Sequence, residues 1–473
     1  MGEVRTSMGK PGHGGLRRRM VGLLLAGSLV LQLPVPGIWG GDGTNRALAA
    51  AGQAPNAVRA AAAGQAADTA AVQPSLRLME KMPVTSGAEL RRYQFSSARK
   101  NQPFTTDVNV IVVDLGNPYV KLDVMTGVGG DLVKRQTVLG MVRETGAVAG
   151  TNGDYFHLQV PNTPPIGPVM DDGRMLTSPL NTDGWYTFAV TKDNRPVIDF
   201  YTFEGEVVVP DAGGASFPLA GINRPGTWIN GVHSHRDKVF LYTSEWGTLS
   251  RGNDGNTTPN EILVQLDAKG PGGSGGGSEA PAGGSGAPSG GDPYGFDRGI
   301  LTGTVAAVSF GKPLDIAAVP EGSVILRANL AAADFFRNSG VQAGTRLEIR
   351  YDLKPLGADS PRGRDLRMLI GGHTLLVRDG QPAAFTASAS AVSGDAGRSR
   401  TAVGYSRDGR YVYLITADKT ETSQGLTLKE MQEVMLLLGV WKGLNLDGGG
   451  STQLVYRPLG ETDPVLGNRP EYG

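Results

Sequence analysis

The chain has 473 residues, with 45 Lys and Arg against 45 Asp and Glu, and no cysteine. That length allows one large domain or two medium ones, and a balanced charge without a long basic run lacks the electrostatic footprint of a nucleic-acid binder. The absence of cysteine excludes disulfides, thiolate zinc sites, iron–sulfur clusters and a cysteine nucleophile.

Arg5, Lys10 and the Arg17-Arg18-Arg19 triplet precede an apolar run, 20–33, that Pro34 and Pro36 break, and Ala47-Leu48-Ala49 offers small residues for cleavage. This is the layout of a signal peptide over 1–47, with an apolar run too short for a comfortable membrane span. An uncleaved anchor is the alternative reading. Both place the body outside the membrane, secreted or at the cell envelope, with membrane contact only transient and through this segment if it is cleaved. Residues 48–75, rich in Ala, Gly, Asn and Gln without apolar periodicity, are expected to form a disordered spacer. The folded domain is then expected over 76–473.

Residues 108–115 are rich in β-branched side chains and end at Gly116-Asn117-Pro118, and 119–125 follows as a second such run, so an opening hairpin is predicted. Short strands are predicted at 187–190, 196–200, 206–209, 239–242 and 261–266, with a helix at 138–145. Residues 268–295, almost wholly Gly, Ser, Pro and Ala, cannot bury enough apolar surface to fold and read as a loop insertion. Strand-like sequence resumes at 303–310, and 386–399 reads as a mobile flap.

The last third has the clearest pattern. Residues 411–416 read as a strand. Thr427-Leu428-Lys429-Glu430 is a capping box, and Leu428, Met431, Met435 and Leu438 share a helical face that Gly439 ends. A strand at 443–446 delivers Asp447 to its end, and Gly448-Gly449-Gly450-Ser451-Thr452 turns the chain before 453–456. The fold class expected is α+β, a mainly antiparallel mixed sheet with a few packed helices in a single domain.

Three glycines after an aspartate let a ligand approach backbone amides, so Gly448, Gly449, Gly450 and Ser451 are read as a phosphate cradle. The competing reading is a tight turn whose aspartate caps its own loop. Asn445 and Asp447 share a strand face by the period of two. Asn152-Gly153-Asp154-Tyr155-Phe156 sets an amide, a carboxylate and aromatics around a glycine, which suits a sugar site but is also a routine turn signal. Arg400 and Arg398 could each hold a phosphate, with a solvated surface role the default for Arg398. His373, after two glycines, is more often structural than catalytic. His233 and His235 match no zinc-hydrolase spacing.

At these segments the sequence resembles the phosphodiester glycosidase family. The landmarks run in the family's order: Asn152 to Phe156, Gly371-Gly372-His373, Arg400-Thr401-Ala402-Val403-Gly404-Tyr405, Gly425-Leu426-Thr427, and Asn445 to Ser451. Ala417-Asp418-Lys419 stands where the family often has Asp-Gly, and His373 where a small residue or proline is usual. Relatives continue into a further strand beyond Asn468-Arg469-Pro470, so truncation at the C-terminus is an expectation. The resemblance implies an exported hydrolase acting on a sugar-1-phosphate diester, such as an N-acetylglucosamine-1-phosphate diester, in envelope or extracellular glycan.

In that chemistry the leaving group is already a stabilised anion, so the main demand is a carboxylate near the anomeric carbon. Asp447 and Asp154 are the expected catalytic carboxylates, with Arg400 and the Gly448 to Gly450 amides on the phosphate. Asn152 and Asn445 would position sugar hydroxyls, with Asp418, Ser451 and His373 as further substrate contacts. No cofactor is required on this reading, a divalent ion being the one addition considered. Two rivals are a non-catalytic polysaccharide-binding envelope protein and a metal-dependent phosphodiesterase in which Asp154, Asp418 and Asp447 hold a divalent ion.

Overall fold

The structure, a computed structural model, describes residues 73–156, 164–179, 184–229, 231–252, 258–268 and 292–471. The expected signal peptide, most of the spacer and most of the 268–295 insertion lie outside the described residues.

The long β-branched run lies in strand Gln102–Asp114, whose residues from Val108 to Val113 are all buried. Burial on both faces explains the near-continuous apolar sequence. This strand is third in an eight-stranded sheet whose spatial order is Ser75–Thr85, Ala88–Arg99, Gln102–Asp114, Tyr411–Ala417, Arg400–Tyr405, Lys442–Asn445, Leu375–Arg378 and Gln381–Pro382. Its hairpin partner is Ala88–Arg99, joined through Lys100 and Asn101, both at positive φ (48° and 61°), as a two-residue hairpin turn demands.

The predicted pairing with 119–125 is therefore not observed. Val120, Leu122 and Val124 still pack partly buried against the core, but no strand forms there. Alternating apolar residues report burial of every second side chain, and here that burial occurs without a ladder.

Residues Tyr411–Ala417 and Lys442–Asn445 each pair antiparallel with Arg400–Tyr405, so they run parallel to one another on either side of it. Among the described residues there are three α-helices: α1 (Val138–Thr145), α2 (Ala331–Asn338) and α3 (Leu428–Leu437). Helix α3 makes the crossover between the two parallel strands. Its Thr427–Glu430 capping box forms as predicted, and Gly439 at φ 76° follows its last turn. Met431, Val434 and Met435 pack on one face of the sheet with Ala402 and Ile415.

The opposite face packs against a five-stranded sheet ordered Arg174–Thr177, Val169–Asp171, Leu366–Gly371, Thr187–Thr191 and Pro196–Asp199, through Phe188, Val190 and Met368. Seven further strands close a barrel: Ala215–Ile222, Val239–Tyr242, Ser323–Ala328, Asn260–Leu266, Ile300–Phe310, Arg346–Pro355 and Tyr201–Val209. The interior is filled by Ile222, Leu241, Ile262, Leu301 and Ile349, so the barrel is a packed core. Pairing is antiparallel throughout these sheets except between Ala215–Ile222 and Val239–Tyr242. The class is α+β, as expected, with the closed barrel as the feature the sequence reading lacked. A small sheet, Val465–Leu466, Leu454–Tyr456 and Ala149–Thr151, lies beside the two segments that carry the carboxylates.

Candidate active site

Asp447 lies two residues beyond strand Lys442–Asn445, and Asp154 lies three residues beyond strand Ala149–Thr151. The two segments are stitched together. Asp447 N donates to Gly153 O at 3.0 Å. Asn152 Nδ2 donates to Asp447 O at 2.9 Å, while its Oδ1 accepts from Thr401 Oγ1 at 2.8 Å and Gln453 N at 3.1 Å. Tyr155 OH donates to Leu446 O at 2.8 Å and accepts from Asn445 Nδ2 at 2.7 Å. Asn152 and Asn445, expected on sugar hydroxyls, are thus occupied in holding the carboxylate-bearing segments in register. The backbone that carries both carboxyls is therefore fixed on each side.

Both carboxyls border a cavity of about 810 Å³. Gly450 and Ser451 line it beside them, Phe188, Ile370 and Leu446 form apolar floor, and Lys134 and Arg135 contribute cations on the irregular wall that follows residues 119–125. The volume suits a sugar with part of its aglycone. Burial pushes the Asp447 carboxyl up to about 6, against the Ser451 hydroxyl and the Gly448 N–H, which donate to it. Asp154 is pushed further, to about 8, again by burial. The amides of Tyr155 and Gly167, at 2.8 and 2.7 Å, and the charge of Arg224 oppose that shift, and the Asp447 charge adds to it. At neutral pH Asp447 is then mostly ionised and Asp154 mostly protonated. Glycine is required at 371, where a Cβ would come within 2.5 Å of Asp154 Oδ1.

The glycine loop differs from the cradle expectation. Gly448 N donates to Asp447 Oδ1 at 2.8 Å and Gly449 N to Ser399 O at 2.8 Å, so the aspartate caps its own loop. Gly449 sits at φ 60°, a conformation that favours glycine, and its missing side chain leaves room for Arg398 Nη2. Arg398 pairs with Glu471 at 2.8 Å and stands beside this loop, where the sequence reading had it solvated.

Arg400 lies almost wholly out of solvent and does not border the cavity. Its Nε donates to Leu426 O (2.9 Å), Nη1 to Val392 O (2.9 Å), and Nη2 to Ser393 O (2.7 Å) and Ala396 O (2.9 Å). In place of a phosphate contact, the guanidinium clamps the segment read as a flap. Arg400→Met should lower unfolding stability by about 2–4 kcal/mol, because buried carbonyls lose charge-assisted donors. Urea unfolding together with limited proteolysis at 386–399 would check this, and unchanged stability would refute the clamp.

Asp418 and His373 also stand back from the cavity. Asp418 Oδ2 accepts from Arg469 N at 3.2 Å and Asn109 Nδ2 at 3.4 Å, anchoring the C-terminal segment, and burial pushes its carboxyl up to about 6. His373 is buried against Trp185 and Tyr155, ring centroids 4.6 and 5.7 Å away, and burial pushes its imidazole down to about 4, leaving it neutral. Among the described residues no three His, Cys, Asp or Glu side chains converge to hold a metal ion, so the Asp154, Asp418 and Asp447 ligand set is not assembled. His235 is spent on Tyr242 OH at 2.8 Å and on a ring stack with Phe240.

Comparison with known proteins bears on this geometry. Residues 300–473 match the phosphodiester glycosidase family. The match takes in Gly371 to His373, Arg400 to Tyr405, Gly425 to Thr427 and Asn445 to Ser451, so the resemblance carried by those motifs holds. The Asn152 to Phe156 segment lies outside it. No curated protein matches the chain. Among solved structures, a Burkholderia pseudomallei K96243 protein described as exported superposes with TM-score 0.59 at 17% identity, covering 84% of this chain and 94% of that one. A hypothetical protein from Synechocystis gives 0.57 at 14% identity, covering 84% and 66%. At these identities the likeness is one of fold. The zebrafish N-acetylglucosamine-1-phosphodiester alpha-N-acetylglucosaminidase catalytic domain, auto-inhibited by pro-peptide, gives 0.40 at 13% identity, covering 84% and 81%.

Three cations near the phosphodiester glycosidase motifs were not anticipated. Lys134 and Arg135 precede α1 and line the cavity, a placement with no local signature. Arg224 acts electrostatically on Asp154 from the loop after strand Ala215–Ile222. A charged residue between Asn223 and Pro225 at a strand end is the only signal it gave.

Proposed function

We propose that the protein is an exported hydrolase that cleaves the anomeric C1–O bond of a sugar-1-phosphate diester, such as an N-acetylglucosamine-1-phosphate diester, in envelope or extracellular glycan. The observation that carries this reading is the pair of half-buried carboxyls on mutually tied segments at one cavity, with pKa values held apart at about 6 and about 8. Export rests on the arginines and short apolar run of the N-terminus.

In the reaction the C1–O bond breaks with its electron pair going to the phosphate monoester, and C1 passes through an oxocarbenium-like centre. Asp447, ionised, faces that centre either as nucleophile or as the base that takes a proton from the attacking water. Asp154, protonated, donates to the departing phosphate oxygen. Because the phosphate leaves as a stabilised anion, that proton contributes less than it would for an alcohol leaving group. Tyr155 and Asn152 act through the backbone they position.

Incubation of the protein with a synthetic N-acetylglucosamine-1-phosphate diester should release sugar, and Asp447→Ala should abolish the release. Absence of release across several sugar diesters, with the protein folded, would refute the proposal.

A further inference from the structure

The cavity that Asp154 and Asp447 border extends well beyond them. Ala147 and every residue from Ala149 to Phe156 line it, so it follows the chain from the end of α1 to the carboxyls. Its volume of about 810 Å³ leaves room for an aglycone beside a sugar. At the α1 end the walls are Leu122, Val124, Met125, Met141, Ala147 and Ala149. All six are half-buried, apolar side chains that keep surface open in a concave space. The Met125 methyl lies against Gly150, where a Cβ would come within 2.6 Å of it. Gly150 precedes Asp154 by four residues, a span of at most about 14 Å. The apolar wall is therefore one sugar phosphate away from the carboxyls.

Polar side chains interleaved with this wall already have protein partners. Thr145 Oγ1 donates to Met141 O at 2.8 Å, Thr151 Oγ1 to Gln453 O at 2.9 Å and Gln136 Nε2 to Glu144 Oε2 at 2.9 Å, while Thr137 Oγ1 accepts from Gly140 N at 3.1 Å. A second sugar here would exchange water for few new hydrogen bonds, whereas an apolar chain gains by leaving water. The charged lining sorts in the same way. Lys121 pairs with Asp123 at 2.7 Å, and Lys134 with Asp131 at 3.1 Å. Arg135 makes no hydrogen bond or ion pair among the described residues, and its guanidinium carbon lies 6.0 Å from the centroid of the Phe156 ring. Phe156 is two residues beyond Asp154, and Arg135 is three residues before Val138, which lines the apolar end. This cation thus links the carboxyl end of the cavity to its apolar end.

We propose that the cavity selects an amphiphilic diester, with the sugar at Asp154 and Asp447, the phosphate on Arg135, and a long-chain apolar alcohol as aglycone along the Met125 and Met141 wall. The substrate is then a sugar joined through phosphate to a lipid alcohol. The inference rests on the glycosidase reading for its sugar. Its aglycone end is testable without turnover, because cleavage at C1 leaves the aglycone on the phosphate monoester.

The probes are octyl phosphate, below the concentration at which it forms micelles, and methyl phosphate, each titrated into the full chain by calorimetry. Wild type should bind one octyl phosphate, at least tenfold more tightly than methyl phosphate, since each methylene taken from water favours the longer ester. Met141→Asn should cut the octyl affinity at least fivefold and leave the methyl affinity unchanged. If that variant shows no cooperative unfolding, Ala147→Phe, which fills the apolar end, decides by the same criterion. Arg135→Met should lower both affinities by a common factor of at least five, because both ligands share the phosphate. A preference below tenfold in wild type, a preference kept intact in the folded wall variant, or unchanged affinities in Arg135→Met would overturn the proposal. The two readings fail separately. Octyl phosphate binding that depends on Met141, without hydrolysis of any sugar diester, would leave the amphiphile site and sink the glycosidase. Hydrolysis of methyl and octyl diesters with equal KM would do the reverse.

Discussion

Asp447→Asn should lower the turnover of a sugar-1-phosphate diester by about 10³-fold or more, some 4 kcal/mol of transition-state stabilisation. The carboxylate is asked to meet positive charge at C1 that exists only in the transition state, so kcat should fall and KM should change little. The variant should fold at least as well as wild type. Asn can still accept the Gly448 N–H, and it removes a carboxyl that burial disfavours in ionised form. For Asp447 the folded value, about 6, lies above the ordinary 3.8, so its contribution to stability is greatest below pH 3.8 and is lost as pH rises through 6. At pH 7 wild type therefore carries a penalty that the variant lacks. Equal or higher Tm with lost turnover would mark a site that trades stability for chemistry. Retention of more than a tenth of wild-type kcat would remove Asp447 from the mechanism.

The pH dependence should be bell-shaped, with limbs near pH 6 and pH 8 and a maximum between them. Below 6 Asp447 takes up a proton and loses its role as nucleophile or base, and above 8 Asp154 gives up the proton it donates. Asp154→Asn should erase the alkaline limb and slow the reaction by about 10²-fold, less than the Asp447 change because the leaving phosphate needs little help. A stability signature accompanies it. With a folded value near 8 against an ordinary 3.8, Asp154 favours the native state fully at low pH and ceases to do so as pH rises through 8. Wild type should therefore lose stability across that window and Asp154→Asn should lose less, measured as urea midpoints at pH 5, 7 and 9. An alkaline limb that survives in Asp154→Asn would assign it to another group.

Local chemistry was well written in the sequence and long-range placement was not. The capping box at Thr427 and Glu430, the helix at Val138–Thr145 and the strand at Val239–Tyr242 are each set by neighbours within a few positions, and each formed where its pattern lay. Val120, Leu122 and Val124 carry the alternation of a strand but find no partner, because alternation encodes burial and pairing depends on the whole fold. Closure of the barrel is likewise non-local: Tyr201–Val209 meets both Ala215–Ile222 and the distant Arg346–Pro355. The carboxylates of the candidate site were legible from their glycine-rich settings. The use of each polar neighbour was not. Asn152 and Arg400 have the right groups for substrate, yet backbone acceptors reached through the fold engage them first, and Arg135 reaches the cavity from the segment before α1, a placement that no motif records.

Cleavage of the glycosyl C1–O bond leaves the phosphorus–oxygen bonds intact. Hydrolysis of an N-acetylglucosamine-1-phosphate diester in oxygen-18 water, with mass analysis of the phosphate monoester released, reads this directly. An unlabelled phosphate product is expected. Oxygen-18 in the phosphate would contradict it and make the protein a phosphodiesterase.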